Sequence, residues 1–172
     1  STAEGRPTSN VPLRAGKGWL YEGGIRVPTI VRWPGITAAG STCTTPVISN
    51  DYFPTIVEAV QKKIGSLEDI DGVSIVPLLR DKPIAKRSLF WHYPHYGNQG
   101  GMPGGAIRHG RWKLIEWYES GDLELYDLGA DPSETKNLAK ERADVADRLR
   151  AKLSAWRREV GAKMPTANPK FR

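Results

Sequence analysis

The 172-residue sequence has a single cysteine, Cys43, and no run of the roughly 18 uncharged apolar residues that a membrane span needs. One thiol allows no disulfide within the chain, and familiar zinc frameworks need several cysteines and histidines at short spacing. No histidine or helix start near Cys43 would activate it, so an incidental cysteine is favoured over a nucleophile. The first ten residues do not have the basic and apolar regions of a signal peptide, so we expect the chain to begin after processing or within a larger protein.

Positive charge exceeds negative charge by only six, with 25 Lys and Arg against 19 Asp and Glu. The excess is three in residues 1–50, zero in 51–100 and three in 101–172. Nucleic-acid-binding proteins usually concentrate their charge on one face or tail, so nucleic acid is not an expected partner. A solvated basic surface is the simplest interpretation, and a polyanionic substrate remains compatible with it.

The first half of the chain is rich in glycine and proline, which punctuate its predicted elements. Residues 1–24 are predicted to form a long loop, and Ile25–Trp33 a buried strand. Residues 46–51 predict a short strand that leads into a helix capped by Asn50 or Asp51. One strand and one helix cannot bury their apolar faces, so this α/β-like segment is expected to need further chain.

From Ser88 onward, aromatic and β-branched runs alternate with glycine-containing turns. They predict an antiparallel meander of about four strands, at Ser88–Tyr93, Gly105–His109, Arg111–Trp117 and Leu123–Leu128. Apolar residues then recur at helical spacing and predict one amphipathic helix over Leu138–Val160. A helix that covers one face of a small sheet is an α+β arrangement.

Two stretches could carry chemistry. Lys17 lies between Gly16 and Gly18, where free backbone could present an ammonium group to an anion at close range. The Walker consensus is not present, and a flexible, solvated lysine is the competing interpretation.

The second stretch follows the first strand of the predicted meander and combines imidazole, phenol and amide groups ahead of a glycine loop. Its candidate residues are His92, His95, Tyr96 and Asn98. These groups suit hydrogen bonding and ring stacking with a hydroxyl-rich ligand, and ordinary strand-end aromatics with solvent-facing histidines are an equal alternative. A two-histidine metal site would lack an adjacent carboxylate.

Four segments resemble, in the right order, signature regions of the formylglycine-dependent sulfatases of the alkaline phosphatase superfamily. They are Leu13–Gly35, Asp51–Thr55, Ile107–Ile115 and Leu125–Leu138. The resemblance covers nearly the whole chain and identifies it as about the last third of a sulfatase. It implies the α/β tail of the catalytic domain over residues 1–82. Over residues 83–172 it implies an α+β C-terminal subdomain, in which about four antiparallel strands pack on one long helix.

The resemblance also implies roles for particular residues. Lys17 matches the family lysine that contacts the substrate sulfate. His92, His95, Tyr96 and Asn98 lie where C-terminal residues of related enzymes reach over the mouth of the pocket, so the resemblance implies that they contact the substrate. The formylglycine of the family is made in a Cys-x-Pro/Ala-x-Arg context that Cys43 does not match. We therefore expect the nucleophile and the ligands of a Ca²⁺ ion to lie upstream, with no metal ligand in this chain.

Several expectations about the whole protein follow from the resemblance. Its substrate is expected to be a sulfated small molecule or glycan, more readily a sugar ester than an aryl sulfate. The chain alone is expected to be inactive without the missing N-terminal part as its partner, and the full protein to be periplasmic or secreted. The alternative hypothesis is a non-catalytic module that binds polyanions such as sulfated glycans.

Overall fold

The computed structural model describes residues 9–60, 70–166 and 168–170, which form two compact units. The sheet unit combines residues 9–27 with the described residues from 87 onward, and the loop unit comprises the described residues between 28 and 86. Lys17 and the stretch from His92 to Asn98 both belong to the sheet unit. The predicted division into domains 1–82 and 83–172 stays a prediction.

The predicted meander is confirmed as a four-stranded antiparallel sheet in the order β1-β2-β3-β4. Every strand pairs with the next strand along the chain, through connections of ten, two and five residues. The strands are β1 (Ser88–Tyr93), β2 (Gly104–His109), β3 (Trp112–Trp117) and β4 (Leu123–Asp127).

The predicted C-terminal helix covers one face of this sheet. It runs over Ala143–Glu159, and just past its end Gly161, with a φ of 60°, permits the Ala162 amide to donate to the Arg157 carbonyl at 2.9 Å. It is the last helix of the described residues and is called α4. Side chains from β2, β3 and β4 meet the apolar stripe of α4 in one core, formed by Ile107, Leu114, Leu125, Val145, Leu149 and Leu153.

The opposite face of the sheet is covered by the segment that carries Lys17. Leu20 and Tyr21 pack on Ala106, Ile115 and Trp117 in a second buried cluster. Successive strand residues point to opposite faces, so neighbouring residues in β3 belong to different cores. The helical turn α1 (Glu22–Ile25) follows directly after this contact.

The loop unit contains a 3-10 turn (Ser49–Asp51) followed by α2 (Tyr52–Ala59), and later the short helix α3 (Val76–Leu79). The predicted helix start is confirmed. Asp51 is fully buried, and its carboxylate accepts the amides of Ile48 at 2.8 Å and Val73 at 3.0 Å. The carboxylate therefore joins the segments before and after α2 and makes no capping bond to the first turn of the helix.

Two strand predictions in the first half are wrong. In place of the strand over Ile25–Trp33, the chain forms α1 and then irregular structure, with Val27 and Ile30 exposed by 72% and 92%. The short strand expected at 46–51 is replaced by irregular structure and the 3-10 turn. A strand needs a neighbouring strand to pair its backbone groups, and none of the described residues between 28 and 86 forms one.

Candidate functional site

Lys17 is exposed on a compact turn formed by residues 16–19, here called the Lys17 turn. The amide of Trp19 donates to the carbonyl of Gly16 at 3.1 Å and closes this turn. Farther along, the amide of Gly23 donates to the carbonyl of Arg14 at 2.9 Å, so the chain folds back across both sides of the lysine. This geometry favours a lysine on an ordered backbone over the competing interpretation of a flexible loop.

A buried ion network fixes the segment after the Lys17 turn to the sheet. The Nζ of Lys113, a fully buried residue of β3, lies 3.0 Å from Glu22 Oε1 and 2.8 Å from Glu134 Oε1. Glu134 Oε2 accepts the backbone amide of Glu22 at 2.6 Å. Burial raises the pKa of the Glu134 carboxyl, and the charge of Lys113 opposes that rise. Each of these charges would be costly to bury alone, so the three side chains depend on one another.

A second anchor is built around Glu124 of β4, which accepts hydrogen bonds from three aromatic side chains. The hydroxyls of Tyr21 and Tyr126 donate at 2.8 and 2.7 Å, and the indole of Trp117 donates at 3.1 Å. The guanidinium of Arg14 lies 3.9 Å from the centre of the Tyr21 ring and donates to the Tyr126 hydroxyl at 2.8 Å. Burial, more than any other cause, raises the pKa of both tyrosines, so both remain protonated donors at neutral pH.

The glycine loop, residues 97–101 after β1, packs directly against the Lys17 turn. The indole Nε1 of Trp19 donates to the carbonyl of Gln99 at 3.2 Å. A Cβ atom on Gly101 would overlap the carbonyl oxygen of Gly18, so the two backbones touch where only glycine fits. The structure therefore brings together the predicted lysine and the predicted glycine loop.

Three of the predicted substrate-contacting residues lie in or beside the glycine loop. His95, Tyr96 and Asn98 are all exposed, Tyr96 by 66%. The His95 ring stands edge-on to Tyr93 at 5.6 Å, and a hydrogen bond to Glu119 raises the pKa of Tyr96. These groups are accessible to a ligand near Lys17, and their contact with substrate stays a prediction.

His92 lies on the α4 side of the sheet, against Tyr118 and the segment that follows α4. Its Nδ1 is 2.6 Å from the Tyr118 hydroxyl and its Nε2 is 3.0 Å from the carbonyl oxygen of Lys163. Phe90, which shares this face, stacks on Trp156 of α4 with ring centres 4.8 Å apart. The structure does not bring His92 together with the Lys17 turn, and its bonded ring nitrogens favour the alternative of a structural histidine. Its contact with substrate stays a prediction.

No group of three His, Cys, Asp or Glu side chains among residues 9–60, 70–166 and 168–170 could hold a metal ion. The calcium ligands that the resemblance implies are expected upstream of this chain, and that expectation stays a prediction. Cys43 is exposed in the loop unit. No helix in the described part of the chain is long and apolar enough to cross a membrane.

The sequence patterns did not single out the residues that hold the Lys17 segment in place. Lys113 alternates with Ile115 and Trp117 in β3, so it shares their buried face and must find a charged partner there. That alternation is a signal in the sequence. No pattern in the neighbouring sequence predicts that Glu134 is buried. The structure shows it fully buried in a turn, with a φ of 55°.

In chemical terms, the site sets the turn that carries the exposed Lys17 against the loop that carries the exposed Asn98, with the exposed His95 and Tyr96 just before that loop. An ammonium is a compact charge that suits an anion, while the neighbouring groups suit hydroxyls and the faces of a sugar ring. The sheet with one helix on its face is the arrangement that the resemblance to sulfatases predicts for their C-terminal subdomain.

Comparison with known proteins agrees with this class. The family described as N-sulphoglucosamine sulphohydrolase, C-terminal, matches residues 15–159, and the chain belongs to it. The match starts just before Lys17 and ends with the last residue of α4. The predicted sulfatase resemblance is confirmed, and so is the predicted sheet-and-helix subdomain.

Individual relatives match the chain over most of its length. A protein named "Sulfatase" from Formosa agariphila is 39% identical over 166 residues, which cover 87% of this chain and 30% of the relative. The N-acetylglucosamine-6-O-sulfatase of Bacteroides thetaiotaomicron is 31% identical over 128 residues, covering 71% of this chain and 23% of the relative. The solved structure of Ps i-CgsB in complex with k-i-k-neocarrahexaose superimposes with a TM-score of 0.74 at 26% identity, covering 86% of this chain and 32% of that protein.

The chain therefore spans about a third of the length of the relatives it matches, or less. It corresponds to the C-terminal part of sulfatases, which are sulfuric ester hydrolases.

Proposed function

We propose that this chain is the C-terminal part of a sulfatase that hydrolyses sulfate esters of carbohydrates, and that it supplies the sulfate-binding lysine and part of the sugar-binding surface. The observation that carries the proposal is the ordered Lys17 turn, anchored on the sheet beside the glycine loop. The name of the N-acetylglucosamine-6-O-sulfatase relative supports a sugar as the carrier of the sulfate.

The proposed role of Lys17 is electrostatic. Cleavage of a sulfate ester builds negative charge on the bridging and equatorial oxygens in the transition state, and a cation already in position stabilises that charge. The closed turn and the two anchors below it keep the backbone at Lys17 in place before the reaction begins. Removal of one such preorganised group costs about 3 kcal/mol, or roughly 10²–10³ in rate.

Other parts of the proposed enzyme belong to polypeptide upstream of this chain. They are the formylglycine nucleophile and the ligands of the Ca²⁺ ion. The complete protein is proposed to act in the periplasm or outside the cell. A nucleophile is indispensable to ester cleavage, so we expect an isolated 172-residue chain to hydrolyse no sulfate ester. Turnover that persists through rigorous purification would refute this expectation.

The central test replaces Lys17 with alanine in the full-length protein. We expect kcat for a sulfated sugar to fall by about 10²–10³, because transition-state charge loses its partner. Thermal melting should change little, since Lys17 is exposed. The matched control is Lys152→Ala, which removes an exposed positive charge from α4 and should leave kcat unchanged. Near-normal turnover by Lys17→Ala would remove Lys17 from the site.

The polyanion-binding alternative rests on the net charge of +6. It predicts that the isolated chain is retained on heparin in a salt-sensitive way and that the complete protein turns over no sulfate ester. The sulfatase proposal predicts weak, non-specific retention together with turnover by the complete protein.

A further inference from the structure

Trp19 connects the Lys17 turn to the core of the sheet unit. Its ring stacks on Tyr21 at 5.9 Å and meets the edge of Trp117 at 6.5 Å. From this position its indole N–H reaches out to the carbonyl of Gln99 in the glycine loop. The position of the loop is therefore tied to the same aromatic cluster that supports Lys17.

The glycine loop is closed on itself, so a contact at one point positions the whole loop. The amide of Gly97 donates to the carbonyl of Gly101 at 2.9 Å, and the amide of Gly100 donates to the carbonyl of Gly97 at 3.0 Å. A Cβ atom on Gly100 would lie 3.2 Å from the Trp19 ring, which shows how closely the indole meets the loop. Asn98 lies in the first half of this closed loop, and Tyr96 directly precedes the loop.

We propose that Trp19 is a positioning residue that fixes the spacing between the sulfate-binding Lys17 and the sugar-contacting edge of the glycine loop. The inference rests on the proposed function. A sulfated sugar must reach both places at once, and a fixed spacing lowers the entropy lost when it binds. A small aryl sulfate needs only the sulfate-binding group. Trp19 therefore favours sulfate carried on a sugar ring over sulfate on a small aromatic alcohol.

The test is Trp19→Phe in the full-length protein, which keeps an aromatic ring and removes the N–H donor. KM and kcat are measured for N-acetylglucosamine 6-sulfate and for 4-nitrophenyl sulfate. One lost hydrogen bond corresponds to about threefold to tenfold, so we expect KM for the sugar ester to rise by that factor. We expect KM for the aryl ester and both kcat values to stay within about twofold.

The matched control is Trp156→Phe, which makes the same substitution on the α4 side of the sheet, where the ring stacks on Phe90. This control should change KM for both esters by the same factor or leave both KM values unchanged. A second variant, Gly100→Ala, disturbs the same contact from an exposed position with a φ of 94° and should reproduce the KM split. Because it changes the loop and not the core, it remains informative if Trp19→Phe folds poorly.

Amide hydrogen exchange supplies a readout that does not depend on turnover. We expect the amides of Gly97 and Gly100 to exchange at least about threefold faster in Trp19→Phe, while those of β3 keep their wild-type rates. Unchanged exchange in the loop, or equal KM changes for both esters, overturns the positioning role. If the wild type hydrolyses neither ester, the proposed function itself fails. If the wild type hydrolyses both esters and no variant changes KM for one ester more than for the other, only the role of Trp19 fails.

Discussion

Replacement of Lys113 by methionine tests the ion network that holds the Lys17 segment on the sheet. Methionine retains the length and apolar stem of the lysine, so the substitution removes the charge with little change in volume. The side chains of Lys113 and Glu134 have no exposed surface, and that of Glu22 is 2% exposed. The substitution therefore leaves the Glu134 carboxylate buried without its lysine partner, while Arg26 and Arg108 still lie 3.7 Å from Glu22 Oε2.

The expected loss is large on the scale of folding stability. Removing one partner of a buried ion pair costs about 3–5 kcal/mol, because the remaining charge is left without compensation. Typical domains are stable by only about 5–15 kcal/mol. The exposed pair between Lys136 and Glu141, with side chains 64% and 58% exposed, provides the control. Lys136→Met should cost no more than about 1 kcal/mol.

The assay is native-state hydrogen exchange of the β3 amides in the full-length protein, which reports the free energy of opening the sheet unit without requiring the whole protein to unfold in one step. A variant that adds Glu134→Gln to Lys113→Met should recover part of the loss, because a neutral amide is less costly to bury than a carboxylate. A loss below about 1 kcal/mol for Lys113→Met, equal to the surface control, would refute the network as an anchor.

The pH dependence of the loss supplies a further check. The pKa of Glu134 is raised in the folded state above its ordinary value of 4.5, and the lysine is one of the groups that hold it down. A carboxyl whose folded pKa is raised favours folding at low pH, and this contribution disappears as pH rises through the raised value. Without Lys113 the pKa rises further. The destabilisation should therefore be smaller near about pH 4 than near about pH 8, and an unchanged difference would contradict the assignment.

Two other substitutions test the sheet unit and the loop unit separately. Leu149→Ala should cost about 2–5 kcal/mol, because Leu149 is fully buried between α4 and the sheet, and exchange at β3 measures it. A loss below about 1 kcal/mol would show that the site collapses around the smaller side chain. Asp51→Ala should cost about 1–3 kcal/mol by leaving the amides of Ile48 and Val73 without their acceptor. Faster exchange of those two amides is the expected result, and unaltered exchange would contradict it.

The sheet was predictable because its pairing is local along the chain. Each strand pairs with the next, so a hydrophobic run, a turn and another run contain most of the information. The strand predicted over Ile25–Trp33 failed for the opposite reason. Its β-branched pattern describes side chains that suit a sheet, and the backbone partners that would make it a strand are not among the described residues of the loop unit.

The candidate site was predictable only in part. The stretches around Lys17 and His95 were recognisable by their residue types, but their contact joins turns about 80 positions apart and depends on the folded sheet. The pair of Glu22 and Lys113 spans 91 positions, so no local pattern announces it. The position of His92 follows from the alternation of side chains along β1. Phe90 and His92 are two residues apart, so both lie on the α4 side of the sheet, away from the Lys17 turn.

The two faces of the sheet therefore divide the work of the sheet unit. On the α4 side, apolar side chains such as Leu114 and Leu125 hold the helix and stabilise the fold. On the other side, Lys113, Glu124 and the aromatic cluster orient the segment that carries Lys17. Neighbouring residues of β3 therefore have different roles. A substitution at Leu114 should lower the amount of folded protein and leave kcat of the folded fraction unchanged. A change at Lys113 should also shift the lysine proposed to bind sulfate, so its effect on kcat should persist in the fraction that remains folded.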